Sequence, residues 1–552
     1  MKILRYSSLA LAALTFSACQ DVNEQVPQGG ALTDEQVKET NSALPTRTEA
    51  AFSAMFTMMG EPNGCLHNSS GRPDDYGFVM MALSNDLEAS DAWIADNGYN
   101  WFSTCGEWSS RNPDYANPYI RYIAPYKQIR LANDVISNYP ADTQNEKELN
   151  RIAQARAVRA FDYMSLAPSF QFNYVDHLEA PCVPIVTEKG VEADNNPRAT
   201  VKEVYELIMS DLNYACKILE NYKPTNKNEI SGAVAYGLRA RANLAMEKWA
   251  EAAADAQKAI DLSGVKPASI ADVSKPTFCN ISEKNWLWGY DMTEDMAKKF
   301  AYATCDAWIC SFSGDGYSAA TGCCVHINKL LYDLINPSDV RKGWWLNKNG
   351  KSPLTNTVSW KNEDGVSFTG DALVKLAITN VKVAFDAYTN VKFGCQAGVG
   401  TTTNCSDWPL MRVEEMYLIV AEGLAKSGDE NTAKQVLSNF ITTYRDPAYN
   451  IAVQLGKRNL ADEIWLQRRI ELWGEGFGMS DIMRLKKNIV RFHSEKDPYP
   501  DAFRFNVAYG DPYMLLRFPT TETDNNHGIK NNEGGQQPTP GQNKELLDGV
   551  TD

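Results

Sequence analysis

Glu471 and Glu475 lie four residues apart, which puts both carboxylates on one face of a predicted helix, the arrangement that acid–base cleavage of a glycosidic bond would use. Other charges compete for them. Arg468 precedes Glu471 by three residues and Asp481 precedes Arg484 by three, so these groups can close helix-surface or inter-helix ion pairs, and that structural role is preferred. The five histidines, at positions 67, 177, 326, 493 and 527, share no motif. G-x-S-x-G, H-E-x-x-H, P-loop and dinucleotide fingerprints are missing, so hydrolase, zincin and nucleotide chemistry lack the residues their geometry needs, and no enzymatic activity is expected.

Aromatic residues carry a different chemistry. Trp93, Tyr99, Trp101, Phe102 and Trp108 interleave with Asp91, Asp96, Asn97, Asn100 and Glu107. A sugar ring presents apolar C–H faces rimmed by hydroxyls, and a site for it needs flat rings beside amides and carboxylates. A tryptophan taken alone is more often packed in a core, but this stretch is too polar for a core strand. Asp306, Trp308 and Tyr317 form a second candidate platform. The candidate ligand-binding set is therefore Trp93, Tyr99, Asn100, Trp101, Trp108, Asp306, Trp308 and Tyr317. Trp286, Trp288 and Tyr290 alternate along one predicted strand and read as packing, while Trp344 and Trp345 fit either role.

Helices must position these loops. Apolar residues recur at spacings of three and four over 46–59, 119–138, 146–168 and 200–221. Residues 233–262 divide into two helices around Glu247-Lys248, and residues 411–444 do the same around Gly428. Tyr236, Ala240 and Ala252 in the first hairpin recur as Tyr417, Ala421 and Ala433 in the second, the tetratricopeptide spacing in which small residues let paired helices touch. Between the hairpins, 264–409 is rich in Gly, Ser, Thr, Asn and Trp with short strand-like runs, and 60–118 is a second irregular stretch. The expected fold is mostly α, with tetratricopeptide-like hairpins, a long loop-rich lobe and a few short strands.

The net charge of −15 repels phosphate backbones and anionic lipid, so no nucleic-acid partner is expected. Lys2 and Arg5 precede an apolar run from Leu9 to Phe16 that ends in Ser17-Ala18-Cys19, a leader too short to span a bilayer. Cleavage before Cys19 would make it the acylated N-terminus of a lipoprotein, with residues 1–18 as signal peptide and 19–45 as a flexible polar tether. Eleven further cysteines remain, an odd number. Cys305, Cys310, Cys323 and Cys324 cluster near His326 without a C-x-x-C, so buried thiols or disulfides are preferred to zinc, and Cys395 with Cys405 bracket a loop that a disulfide could close. No cofactor is expected, and a structural calcium ion stays open.

The last helical region carries a resemblance. Gln467-Arg468-Arg469, Glu471-Leu472, Glu475-Gly476, Asp481-Ile482 and Arg484 resemble the C-terminal signature of the SusD/RagB family, with Gly478 where the family often has Arg. Leu515-Leu516-Arg517-Phe518-Pro519 with Glu522 and Asn525 resembles its closing segment, with Arg517 and Phe518 replacing a Pro and an Ile. Tyr126, Ile129 and Asn133, then Arg159-Ala160-Phe161, then Glu414, Ala421 and Glu422 resemble three of its helices.

The resemblance implies an N-terminal helical region over 46–262 and a C-terminal region over 263–552. It further implies an outer-membrane lipoprotein, facing the cell exterior, that captures oligosaccharide and passes it to a SusC-like TonB-dependent transporter. Asp21 and Glu24 resemble the acidic surface-export signal of Bacteroidetes lipoproteins. Peptide capture and a tetratricopeptide-type protein adaptor are the alternatives.

Overall fold

The structure is a computed structural model, and it describes residues 45–67, 71–95, 101–192, 194–314, 324–375 and 385–552. Of a first unit, Met1–Ala51, it describes only the start of helix α1 (Pro45–Thr57); Cys19 and the tether lie outside the described residues. Residues 52–552 form one compact unit, which spans the composition border at 262/263.

The long helices of that unit are α2 (Gly77–Glu88), α3 (Ala116–Ser137), α4 (Glu146–Phe170), α5 (Val201–Leu219), α6 (Gly232–Ala245) and α7 (Trp249–Ser263). They continue, after the short α8 (Cys305–Ile309), with α9 (Val413–Ser427), α10 (Glu430–Tyr444), α11 (Leu460–Glu471) and α12 (Gly478–Leu485). Starts and stops follow local chemistry. The Asn145 side chain accepts the Lys147 and Glu148 N–H groups, Thr200 and Glu203 close a capping box, and Gly428 ends α9 in the left-handed region.

Each of α3 to α6 packs on the next, and α7 packs directly on α9. The chain thus leaves the helical stack after α7, builds the irregular lobe, and returns beside the helix it left. Small residues make this approach possible: Ala240, Ala252, Ala421 and Ala433 are fully buried, and a Cβ on Gly423 of α9 would stand 2.4 Å from the Trp249 carbonyl of α7. Arg159 ties three helices together, donating to Asp211 on α5 at 2.7 and 2.9 Å and to Asn133 on α3 at 2.7 Å.

Helix α2 falls within the stretch expected to be irregular. Ten of its twelve residues are buried, so it has no polar face and no amphipathic period for the sequence to display. The lobe matches its expected character, with short helices and antiparallel two-stranded pairs. These are β1 (Ala92–Ile94) with β5 (Val325–Ile327), β4 (Trp286–Tyr290) with β8 (Trp408–Arg412), and β6 (Ser359–Lys361) with β7 (Ser367–Thr369); β2 (Pro181–Pro184) and β3 (Arg198–Thr200) pair outside it. Trp286, Trp288 and Tyr290 are core residues, as are Trp344 and Trp345.

Candidate functional site

Among the described residues Trp101 is the one candidate ring that stands well out of the surface, 40% exposed. The Arg72 guanidinium lies over it, 4.7 Å from the ring centroid, in a cation–π contact. Arg72 is itself fixed: its Nε and Nη2 donate to the buried Asp74 carboxylate, both at 2.8 Å. Between them, the Pro73 carbonyl accepts the Trp308 indole N–H at 2.9 Å. Next along, the Asp75 carboxylate accepts the Leu66 N–H at 2.7 Å and the Cys65 N–H at 3.1 Å. Beneath Trp101, buried Phe102 meets Trp308 edge to face, with centroids 4.6 Å apart. A Cβ on Gly71 would stand 2.9 Å from the Phe300 ring, which in turn contacts Tyr302, 37% exposed. The 71–72 segment therefore meets the exposed Trp101 through Arg72 and the Phe300 ring, beside the exposed Tyr302, through Gly71.

Trp93 is half-buried on β1, directly opposite His326 on β5, and the two rings stack at 3.9 Å and 6°. His326 Nε2 meets the Asp386 carboxylate at 2.5 Å, and the Thr389 hydroxyl donates to the same carboxylate at 3.0 Å. Burial raises the Asp386 carboxyl, but His326 and Thr389 outweigh it and hold the group below its ordinary value. Among the described residues no ring contact joins Trp93 to Trp101.

The other expected site residues divide. Tyr99, Asn100 and Tyr317 lie outside the described residues. Trp108 and Trp308 are corrections: both are fully buried, with no face for a ligand. Trp108 donates to the Glu88 carbonyl at 3.1 Å and carries the Arg111 guanidinium 4.5 Å from its ring. Asp306 is likewise buried, its carboxylate accepting the Ser406 N–H at 2.9 Å, and burial pushes it up to about 7. Of the polar residues that made this stretch look solvent-facing, Asp96, Asn97 and Asn100 lie outside the described residues, while Asp91 pairs with Arg469 at 2.6 Å and Glu107 accepts the Ser109 hydroxyl at 2.9 Å. Trp308 instead supports the site from below. Sequence reasoning missed Arg72, Tyr302 and the His326–Asp386 pair, and the Phe300-Ala301-Tyr302 spacing was the only local signal for any of them.

Glu471 and Glu475 take no part in a surface site. Glu471 accepts from Arg445 at 2.8 Å through both oxygens, from Arg412 at 3.1 Å and from Arg341 at 3.3 Å. Glu475 accepts from Arg412 at 2.8 Å and from Lys392 at 2.7 Å. With Asp339 and Glu414 the network sets four carboxylates against four cations, all buried. Burial raises both glutamates, but the guanidiniums outweigh it, led by Arg445 for Glu471 and Arg412 for Glu475, and hold both below the usual carboxylate range. Neither supplies a proton to a substrate. The ion-pair reading holds for Asp481 and Arg484, which meet at 2.8 Å with Arg484 also reaching Glu422, whereas Arg468 meets Asp481 at 2.7 Å rather than Glu471.

A groove of about 770 Å³ runs beside Tyr388, lined by Lys329, Lys342, Lys348 and Lys351. Its lysines are largely engaged, Lys329 with Asp333, Lys351 with Asp371 and Lys342 with the Tyr332 and Ile335 carbonyls.

Residues 325–535 match the model of the SusD family, and residues 76–244 match the model described as starch-binding, associating with the outer membrane. The chain belongs to the SusD/RagB family. A search of curated sequences returns no match. Solved structures resemble the fold over nearly their whole length. A SusD-like carbohydrate-binding protein from Bacteroides vulgatus aligns with a TM-score of 0.68 at 22% identity, covering 89% of this chain and 98% of its own. A SusD superfamily protein from Bacteroides thetaiotaomicron aligns at 0.65 and 19%, covering 88% and 99%. Surface glycan-binding protein A from Bacteroides uniformis aligns at 0.58 and 15%, covering 88% and 99%. This SusD/RagB member departs from the family signature at Gly478 for a steric reason. Its N–H donates to Asp86 at 2.8 Å, and a Cβ there would stand 2.7 Å from that of Ala89.

Proposed function

We propose that the chain is a surface glycan-binding lipoprotein, held in the outer membrane by acyl chains on Cys19, that captures oligosaccharide or polysaccharide and hands it to a SusC-like TonB-dependent transporter. The observation that carries this reading is the exposed Trp101 ring under the Arg72 guanidinium, which the Asp74 carboxylate fixes. A pyranose lays its C–H face on an indole, and its hydroxyls reach a neighbouring guanidinium. Family membership and the carbohydrate-binding relatives support the same ligand class. Capture needs no covalent step, and the paired glutamates are ionised inside the frame rather than poised beside a substrate.

Native gels cast with single polysaccharides test the proposal. Retardation by at least one glycan, with none by a mixed peptide pool, is expected; retardation by peptides alone contradicts it. Transfer is tested by purification from detergent-solubilised envelopes, in which a large TonB-dependent barrel co-elutes. The anchor is tested with Cys19→Ala, which moves the protein from the membrane to the soluble fraction.

A further inference from the structure

Cys310 and Cys395 lie 85 positions apart in the chain, yet their sulfurs are 2.9 Å apart, about 0.9 Å beyond an S–S bond of roughly 2.0 Å. Cys310 closes α8, and Cys395 follows the extended segment that pairs Phe393 with Thr277. The surroundings hold the two segments in place. The Phe393 carbonyl is 3.6 Å from the Cys310 sulfur, Ser406 donates its N–H to Asp306 at the start of α8, and the Gln396 N–H donates to the Ser406 hydroxyl. An Asp306 carboxylate oxygen lies within 4.8 Å of both sulfurs. The loop closure expected between Cys395 and Cys405 is therefore not the one the fold prepares: the Cys395 sulfur faces Cys310. Cys105, Cys182 and Cys216 lie on other elements, each with its thiol pushed up to about 12 by burial.

We propose that Cys310 and Cys395 form a disulfide in the exported protein, a covalent staple between α8 and the 391–396 segment of the lobe. The bond forms by exchange with an oxidised dithiol donor while the folding chain still exposes both thiols. The Cys395 thiolate attacks one donor sulfur and releases one donor thiolate, giving a mixed disulfide. The Cys310 thiolate then attacks the Cys395 sulfur and expels the donor's second thiolate. The protein loses two protons and two electrons, and the donor disulfide becomes a dithiol. An export compartment supplies such donors and preserves the product.

The staple has a place in the candidate site. It pins the short helix that carries Trp308, whose indole holds the Pro73 carbonyl next to Arg72. It shortens the free loop of the unfolded chain, which stabilises the folded state, more so for a long loop. This consequence for ligand capture rests on the glycan-binding reading; the cross-link does not, and it is read separately.

The test is peptide mapping of protein purified from the bacterial envelope, denatured without reductant, alkylated and digested. A single linked species holding the Cys310 and Cys395 peptides is expected, separating only after reduction. Recovery of both cysteines fully alkylated without reduction overturns the proposal, and so does one equivalent of zinc released by a thiol reagent. As a second measurement, reductant lowers the melting temperature of the wild type by several degrees and leaves that of Cys310→Ser/Cys395→Ser unchanged. An equal response in the two proteins overturns it.

Discussion

The Trp308 indole N–H donates to the Pro73 carbonyl at 2.9 Å, so a tryptophan fully buried in the lobe fixes the backbone one residue from the guanidinium that covers exposed Trp101. The ring that meets solvent and the ring that sets its partner's position are different residues. Replacing Trp308 with Phe keeps most of the packing and leaves the Pro73 carbonyl unpaired. The cost of such a lost bond is about 1–3 kcal/mol, and the expected result is a several-fold weaker glycan affinity with an unchanged helical circular dichroism spectrum. Titration calorimetry beside the spectrum checks it; unchanged affinity removes Trp308 from the support.

Glu471→Gln should be severe. The substitution leaves Arg445, Arg412 and Arg341 buried around a neutral amide, a loss of about 3–5 kcal/mol for a broken buried ion pair. Urea unfolding measures it. Because the folded-state carboxyl sits below its ordinary value, its contribution is complete above the unfolded value near ~4.3 and fades as pH falls further. The gap between wild type and variant should therefore narrow in acid; a gap independent of pH contradicts the network's role.

Asp306 has the opposite sign. Its folded value is about 7, so between the unfolded value near ~3.9 and 7 the folded chain holds a proton that the unfolded chain lacks, and stability falls as pH rises through that window. Asp306→Asn keeps an acceptor for the Ser406 N–H and removes the slope. A gain on the order of 1–3 kcal/mol at pH 8, and none at pH 4, is expected from thermal melts across pH. Destabilisation at pH 8 would contradict burial as the cause of the shift.

Gly423→Ala tests the stacking of α7 on α9. Its new methyl would press on the Trp249 carbonyl and Ala253, and overpacking of this kind costs about 1–3 kcal/mol. A melting temperature equal to wild type would mean the two helices are not in close contact in solution.

The helices were legible because a half-buried helix writes its spacing into the sequence. Gly428 and Glu247 mark real hairpin turns, and the Ala pairs do line the helix contacts. Helix α2 left no such mark, being buried on nearly every side. The site and the buried charge network were less legible because their geometry comes from residues distant in the chain. Glu471 finds its cations 26, 59 and 130 positions away, and Trp93 meets His326 only through the pairing of β1 with β5. Local polarity misled at Trp108 and Trp308, where backbone carbonyls satisfy the indoles, Arg469 takes up Asp91, and the Ser406 N–H takes up the buried Asp306.

The central claim is that an exposed ring held by a rigid frame captures sugar, and Trp101→Ala measures it most directly. Calorimetric titration with the polysaccharide that retards the wild type should show a loss of about 2 kcal/mol, some thirty-fold in affinity, with the melting temperature within a degree or so of wild type. Equal affinity in the two proteins, at equal stability, would contradict the account.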